Sequence, residues 1–308
     1  MSIISNFIRR YKDRFSLLLR KFGWWIPDRP YLLMMYYIQM GEMLHLRNPK
    51  TFSEKLQWLK LYNRKPEYTM MVDKYAVKEY VTNIIGKEYI IPTLGVWEKP
   101  EDIEWEKLPN QFVLKTTHGG GSKGVVICKD KSKFEISKTI KQLNRAMKQD
   151  VYRNYREWPY KHVKHRIIAE QFMEEKVVDN RPIETDLVDY KFYCFHGEPK
   201  YCQVIRDRST KETIDFYDME WTHMPFCGLN PVAKNGLNPV AKPIHLDRMK
   251  EIACKLSQDI PFTRVDFYII NDIEYFGEIT FYPASGFGLF TPKEWNMQLG
   301  NLISFPLC

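Results

Sequence analysis

The chain has 308 residues, enough for one large or two modest domains with cores of their own. Its 44% hydrophobic and 27% charged residues exclude wholesale disorder, collagen-like repeats and membrane bundles. The net charge of +8 is uneven: residues 1–65 carry 13 basic and 4 acidic side chains, whereas the other 33 basic and 34 acidic residues nearly cancel. A basic segment on a near-neutral body argues against nucleic acid as a partner.

The first predicted element is a basic amphipathic helix over residues 3–22. Its apolar side chains recur at spacings of three and four residues, at Ile4, Ile8, Tyr11, Phe15, Leu18 and Phe22. Such a helix can attach to an anionic inner-membrane surface, with Trp24 and Trp25 at the interface. It can equally pack its apolar face on the rest of the chain, which is the commoner use of such helices. Both alternatives stay open at this point.

The location predicted from the sequence is a reducing cytoplasm, with residues 3–22 as the candidate contact with the inner membrane. The longest uncharged apolar run, residues 31–38, is far shorter than the ~20 residues that span a bilayer. Basic residues interrupt the N-terminus before the apolar core of a secretory signal could form. The six cysteines show neither CxxC spacing nor a disulfide framework.

The rest of the chain reads as mixed helix and strand. Helical patterns continue to about residue 62, and Ser53 is the expected N-cap of the helix that contains KLQWLKLY. Further helices are predicted at residues 73–81, 134–149 and 247–258. Strands are predicted within residues 111–117, 124–130, 166–173, 189–197 and 198–207, and a hairpin within residues 264–282.

The last predicted hairpin carries the most chemistry, because apolar and charged side chains alternate on both arms. A three-residue loop at residues 271–273 would place Asp266 opposite Glu278 and Arg264 opposite Thr280 on one polar face. A two-residue turn would put the carboxylates on opposite faces, and the hydrophobic pattern favours the longer loop. Facing carboxylates repel unless a cation lies between them, which suggests a magnesium site. The alternative is a solvated face with an arginine–carboxylate ion pair.

A second feature is a glycine-rich loop between two predicted strands, with Gly119, Gly120, Gly121 and Gly124. The string GGGSKG has the spelling of a dinucleotide-binding loop, but a strand follows it where that motif requires a helix. It also lacks the Gly-Lys-Ser/Thr ending of a Walker A loop. A glycine loop of this kind can fold over a triphosphate, with Lys115 and Lys123 offsetting negative charge. The alternative is a flexible turn.

Together these segments resemble the ATP-grasp family, and more narrowly its TupA-like members, which accompany bacterial cell-surface polysaccharide clusters. The resemblance extends over about residues 48–300 and rests on five strings in the same order: FSEKLQWLKLY, DKYAVKEYV, LPNQFVLKTTHGGG, DYKFYCFHGEPKY and RVDFYIINDIEYFGEITFYPASGFG. It implies an α+β ATP-grasp fold in which two α+β subdomains clasp ATP. The expected units are a helical basic region at 1–70, a subdomain with a glycine-rich lid at 71–185, and a subdomain with the metal hairpin at 186–308.

The resemblance also implies site residues. ATP would be bound by two lysines, the lid, an adenine-binding hinge and a carboxylate for the ribose: Lys74, Lys115, His118, Gly119, Gly120, Gly121, Ser122, Lys123, Gly124, Glu170, Gln171, Phe172, Met173, Glu174 and Glu175. Asp266 and Glu278 would hold Mg²⁺, with Thr280 where many ATP-grasp ligases have Asn. Lys191 would be a further phosphate contact, and Arg264 would stabilise charge on the transferred phosphoryl group or the acyl oxyanion.

The activity that the resemblance implies is ATP-dependent ligation of a carboxylate to an amine through an acyl phosphate. The expected substrates are a carboxylate on a cell-surface polysaccharide or its precursor and a small amine or amino acid. Two alternatives are a phosphotransferase acting on a glycan hydroxyl, and a non-catalytic or glycosyltransferase-type envelope protein. The acceptor side has no support from the family pattern, because residues 1–70 look helical where ATP-grasp ligases carry an α/β domain.

Overall fold

A computed structural model describes residues 3–121, 124–174, 187–208, 210–229 and 234–305, with side chains from residue 12 onward. Helices and strands both contribute, so the predicted α+β class is confirmed. The helices among these residues are α1 (Ile3–Phe22), α2 (Asp28–Met40), α3 (Phe52–Tyr62), α4 (Glu67–Val72), α5 (Ala76–Ile85), α6 (Ile136–Met147), α7 (Val151–Tyr155), α8 (Leu246–Ser257) and α9 (Glu294–Asn301).

Two antiparallel sheets form the framework. The strands are β1 (Thr93–Trp97), β2 (Phe112–Thr116), β3 (Val125–Cys128), β4 (Ile167–Gln171), β5 (Asp189–Phe195), β6 (Glu198–Arg206), β7 (Thr213–Asp218), β8 (Cys227–Gly228), β9 (Phe262–Ile270), β10 (Ile273–Thr280) and β11 (Phe290–Thr291). The first sheet has the order β1-β4-β2-β3, the second the order β10-β9-β5-β6-β7, and β8 pairs with β11. The glycine-rich loop lies in the first sheet and the predicted metal hairpin at the edge of the second.

The larger hydrophobic core lies on the second sheet and takes in helices from both ends of the chain. Phe52 at the start of α3 is buried in it, with its ring 4.8 Å from that of Phe262 and 5.9 Å from that of Phe290. A smaller core lies between the first sheet and α6. The division at residues 70 and 185 stays a prediction.

Helix α3 begins with a capping box whose N-cap is Thr51, two residues before Ser53. The side chain of Thr51 accepts a hydrogen bond from the backbone N–H of Glu54, whose carboxylate accepts one from the N–H of Thr51 at 3.0 Å. The predicted N-cap at Ser53 is therefore wrong. Ser53 lies inside the helix, where its N–H and hydroxyl donate to Asn296.

We expect Thr51→Ala to lower the free energy of unfolding by about 1 kcal/mol, because the N–H of Glu54 loses its acceptor. Urea denaturation measures this change. Ser137→Ala at an exposed position of α6 is the matched control and should leave the midpoint unchanged. Equal midpoints for all three proteins would contradict the role of the capping box.

Helix α1 packs on the protein, but through a different face from the apolar one read from the sequence. Ser16 is buried against Met35, and Leu19 packs in the N-terminal cluster formed with α2. Phe15, Leu18 and Phe22 are instead largely exposed. Of the two alternatives left open by the sequence, packing of this apolar face on the rest of the chain is not observed for the described side chains. None of the described helices combines the length and apolarity needed to cross a bilayer.

Candidate active site

The hairpin of β9 and β10 has the predicted residue pairing at the candidate site, but its turn is shorter than predicted and β10 contains a bulge. Ile270 pairs with Ile273, so the turn is the two residues Asn271 and Asp272, both with positive φ, and the expected three-residue loop is wrong. A bulge at Gly277 then adds one residue to β10 and restores the register. As a result Asp266 lies opposite Glu278, and Arg264 opposite Thr280, as predicted from the sequence.

The side chain of Arg264 lies where the three predicted metal ligands converge. One nitrogen, Nη2, is 2.7 Å from Oδ2 of Asp266, 3.2 Å from Oε1 of Glu278 and 3.2 Å from Oγ1 of Thr280. A second nitrogen, Nε, donates to Oδ1 of Asp266 at 2.7 Å. Three oxygen atoms thus surround a single cationic atom. The arginine–carboxylate ion pair, which was the alternative to a metal site, is formed with the same two carboxylates that were predicted to hold the metal.

Two lysines complete this cluster, and both were predicted from the sequence. Lys191 on β5 lies opposite Asp266 and forms ion pairs with Asp266 and with Asp189. Lys74 contacts Glu278 with 2.7 Å between Nζ and Oε2. Burial opposes the charge of Lys74, but Glu278 raises its pKa above the usual value. Burial likewise opposes the charge of Glu278, yet Lys74, Lys191 and Arg264 hold its pKa well below the usual range.

The cluster suits a hard divalent cation. Carboxylate and hydroxyl oxygens from Asp266, Glu278 and Thr280 already converge on one positive atom, and oxygen is the donor that Mg²⁺ prefers. No group of three His, Cys, Asp or Glu side chains within the described residues could hold a metal. Only part of a coordination shell comes from the protein, which fits a metal that is shared with nucleotide phosphates.

A second charged cluster lies on the first sheet. Glu170 on β4 forms ion pairs with Lys115 and Lys78, each with 2.5 Å between the charged atoms. Burial opposes the charge of Glu170, but the two lysines lower its pKa to about 2. Sequence reasoning identified Lys115 and Glu170 but missed Lys78. The four-residue spacing from Lys74 to Lys78 was the available signal, because residues four apart share one side of a helix.

This low pKa predicts a pH dependence of stability. The folded-state pKa of Glu170 lies below that of the unfolded chain, so its contribution to the free energy of unfolding, on the order of 3 kcal/mol, is present above pH ~4.5. It is lost as the pH falls toward 2. When denaturation is measured at decreasing pH, the free energy of unfolding of Glu170→Gln should fall less steeply than that of wild type. The exposed Glu104→Gln is the control and should follow wild type; a shallower loss in both variants would refute the assignment.

Lys74 connects the two clusters. Its backbone N–H donates to the carbonyl of Thr117 at the end of the lid strand, and its ammonium contacts Glu278 on the metal hairpin. Glu170 and Asp266 also raise its pKa, so both clusters lie within its electrostatic reach. The segment before α5 therefore lies between the Lys115–Glu170 ion pair of the first sheet and the carboxylates of the second.

The lid folds back on the strand from which it leaves. A side-chain Cβ at Gly119 or Gly124 would lie 2.7 or 2.2 Å from the hydroxyl of Thr116, so a larger residue at either position would force the Thr116 side chain to move. A Cβ at Gly120 or Gly121 would meet nothing within 4 Å, which leaves their backbone open for a ligand. The predicted lid residues Ser122 and Lys123 lie outside the described residues.

His118 at the base of the lid is buried and stacks on His165 with ring centres 3.6 Å apart. Burial and the neighbouring imidazole lower the pKa of His118 to about 4. The side chain is therefore neutral near pH 7 and adds no positive charge for a phosphate. Its position supports a packing role at the lid.

The predicted adenine hinge, Glu170 to Met173, begins with the last two residues of β4, and the chain after it approaches the β9–β10 hairpin. The N–H of Gln171 donates to the carbonyl of Pro92 at 3.0 Å, and the half-buried Phe172 has the ammonium of Lys129 over its ring. Met173 is half-buried, and the carbonyl of Glu174 accepts from Asn271 at 3.4 Å. Glu175, the other candidate for the ribose, lies outside the described residues.

A strained segment that directly follows the metal strand was not assigned to the site by the sequence. Ala284 and Ser285 both have positive φ, 48° and 54°, which costs non-glycine residues ~1–3 kcal/mol each. The fully buried Lys60 of α3 holds the carbonyl of Ser285 at 2.7 Å, and the Ser285 hydroxyl donates to the buried Glu157 at 2.5 Å. Side chains distant in sequence therefore fix the backbone that leaves the metal strand.

The sequence model of a family described as TupA-like ATPgrasp matches residues 54–304. No curated protein matches. Similar solved structures include the D-alanine–D-alanine ligase of Bacillus anthracis complexed with ATP, at 15% identity, covering 76% of this chain and 63% of that chain with a TM-score of 0.42. The corresponding ligase of Helicobacter pylori has 16% identity, coverages of 83% and 70%, and a TM-score of 0.40.

A RimK domain ATP-grasp protein from Sphaerobacter thermophilus is also similar, at 10% identity, with coverages of 77% and 69% and a TM-score of 0.41. This chain therefore spans just under two thirds of the first of these ligases. The family match covers most of the chain, including the glycine-rich loop, the predicted hinge and the β9–β10 hairpin. The protein belongs to the TupA-like ATP-grasp family and has its α+β ATP-grasp fold.

Proposed function

We propose that the protein is an ATP-dependent ligase that joins a carboxylate to an amine through an acyl phosphate. The observation that carries the proposal is the convergence of Asp266, Glu278 and Thr280 on one cationic atom, with Lys74 and Lys191 on the two carboxylates. Acidic ligands for a metal and lysines for phosphates then lie side by side. Mg²⁺ held by these oxygens would offset the charge of the nucleotide phosphates.

The proposed reaction has two steps. A carboxylate oxygen of the substrate attacks the γ-phosphorus of ATP, the O–P bond forms, the bond to the β-phosphate oxygen breaks, and ADP leaves. The amine then attacks the acyl carbon, phosphate leaves, and the amine loses a proton to give the amide. Lys74, Lys115 and Lys191 supply positive charge that offsets the repulsion between carboxylate and triphosphate. Arg264 stabilises the charge that develops on the transferred group.

The glycine-rich lid would close over the nucleotide and exclude water, which would otherwise hydrolyse the acyl phosphate. The open space around Gly120 and Gly121 supports this role, because their backbone N–H groups can approach phosphates without a side chain in the way. For the substrates we propose a carboxylate on a cell-surface polysaccharide or its precursor and a small amine or amino acid. This part rests on the likeness to TupA-like proteins.

The experiment that tests the proposal is incubation of the full chain with Mg-ATP, a panel of uronic-acid glycans and a panel of small amines, followed by mass analysis. A ligase gives a product equal to the sum of both substrates less one water, together with ADP and phosphate. If the carboxylate carries heavy oxygen, one labelled atom should appear in the released phosphate, because that oxygen bridged the acyl phosphate.

Other outcomes would replace the proposal. A product that gains one phosphate on a hydroxyl, with all label retained in the glycan, identifies a phosphotransferase. Failure to bind ATP in a magnesium-dependent manner would leave a non-catalytic envelope protein. In that case Asp266→Asn and Glu278→Gln would behave like wild type.

A further inference from the structure

Helix α1 presents two different faces, and polar or small residues form the one that packs. Ser16 donates to the sulfur of Met35 and accepts from Gln39 on α2, and the guanidinium of Arg20 donates to the hydroxyl of Tyr155 on α7. Gly23 continues this face, because a Cβ there would lie 2.9 Å from Leu19. The helix is thus anchored to the body through a side that its hydrophobic pattern does not mark.

The apolar side of α1 is left outside this contact. Leu18 and Phe22 of α1 are 45% and 57% exposed, and Trp24 and Trp25 in the turn that follows are 64% and 70% exposed. We call these four residues the apolar stripe. Leu17 of the same helix is exposed as well, and large exposed apolar patches mark interaction sites. Ile4, Ile8 and Tyr11 continue the spacing in the sequence, although their side chains lie outside the described part.

Positive charge borders the stripe. Arg14 and Lys21 are exposed, and no carboxylate among the described residues forms an ion pair with either. Residues 1–65 carry a surplus of 9 positive charges. A protein partner would need an apolar groove flanked by carboxylates. A bilayer with anionic headgroups offers both features over its whole surface, and indole rings favour the level of the headgroups.

We propose that the apolar stripe docks the protein on an anionic lipid surface, with α1 lying parallel to the membrane plane. The stripe enters the boundary between headgroups and acyl chains, while Arg14 and Lys21 contact the anionic headgroups. The packing face with Ser16 and Arg20 stays on the protein. This proposal is independent of the catalytic reaction, because no residue of the stripe belongs to the candidate active site.

The test is cosedimentation of the full chain with vesicles of phosphatidylcholine alone and of phosphatidylcholine mixed with phosphatidylglycerol. We expect wild type to bind the anionic vesicles, and Leu18→Ser/Phe22→Ser to bind at least tenfold more weakly. Arg14→Glu/Lys21→Glu should also bind at least tenfold more weakly. Leu237→Ser/Ile244→Ser is the matched control, because it removes two exposed apolar side chains elsewhere and should bind like wild type.

Three results would overturn the proposal. Wild type could remain in the supernatant with anionic vesicles, the stripe variant could bind as tightly as wild type, or the control could lose as much binding. A dimer in solution that the stripe variant abolishes, without any vesicle binding, would assign the stripe to a second copy of the chain. Equal thermal midpoints of the variants and wild type show that any loss of binding is not a loss of folding.

Discussion

Glu278→Gln should lower the rate of ATP-dependent condensation by about 10²–10³ while leaving the protein folded. Glu278 offers a carboxylate to the shared cation position, and the amide that replaces it cannot supply the negative charge. Its side chain is partly exposed, so the amide still finds hydrogen-bond partners in Lys74, Arg264 and water. The measurement is ADP release at saturating ATP over a series of Mg²⁺ concentrations, where the variant should need more Mg²⁺.

The matched control is Glu274→Gln on the same strand, which changes a carboxylate that pairs with His245 outside the cluster. Its rate and Mg²⁺ requirement should equal those of wild type. Asp266→Asn is a harsher test, because it leaves the charges of Lys191 and Arg264 buried and incompletely paired. We expect both inactivity and a free energy of unfolding lower by roughly 3–5 kcal/mol. An unchanged Mg²⁺ requirement in Glu278→Gln would exclude this hairpin as the metal site.

The hairpin shows how far sequence reasoning extends. Alternation of apolar and polar residues predicted that Asp266 and Glu278 share a face, because one face of a buried sheet must be apolar. The same reasoning predicted the wrong turn, because it placed three residues in the loop where the structure has two. The structure places the extra residue at Gly277 as a bulge. Pattern fixes which residues face each other, whereas turn type and bulge position depend on local backbone energies that alternation does not report.

The residues that sequence reasoning missed are those whose partners lie far along the chain. Lys78 forms an ion pair with Glu170 on β4, and Lys60 donates a hydrogen bond to the backbone carbonyl of Ser285. A lysine in an amphipathic pattern is normally read as solvated. A signal was present in α3 nonetheless, because Phe52, Leu56 and Lys60 recur every four residues on one buried face. Only the tertiary fold shows what a buried ammonium contacts.

Lys60→Met should destabilise the protein by about 3–5 kcal/mol. The ammonium of Lys60 donates to Gln57 at 2.9 Å, to the carbonyl of Tyr155 at 3.0 Å and to the carbonyl of Ser285 at 2.7 Å. Methionine fills the space, but it leaves the side-chain oxygen of Gln57 and the carbonyl of Tyr155 without the ammonium donor. The carbonyl of Ser285 keeps only the longer hydrogen bond from Gln57, at 3.2 Å. The substitution also removes the cation that interacts with Glu157. Urea denaturation measures the loss. Lys255→Met, an exposed lysine of α8, is the control and should leave the midpoint unchanged.

The pH dependence of this loss separates charge from packing. Burial lowers the pKa of Lys60 to about 7, against the opposing effect of Glu157. An unfolded lysine titrates near 10.4, so between pH ~7 and ~10 the unfolded chain binds the proton that the folded protein has released. The contribution of Lys60 to the free energy of unfolding therefore rises from pH ~7 to ~10. The difference in the free energy of unfolding between wild type and Lys60→Met should increase over the same range. A difference that stays constant from pH 7 to 10 would mean that Lys60 acts through shape alone. In that case Lys60→Met/Glu157→Gln would be no more stable than the single variant, whereas a charge-based loss predicts partial recovery in the double variant.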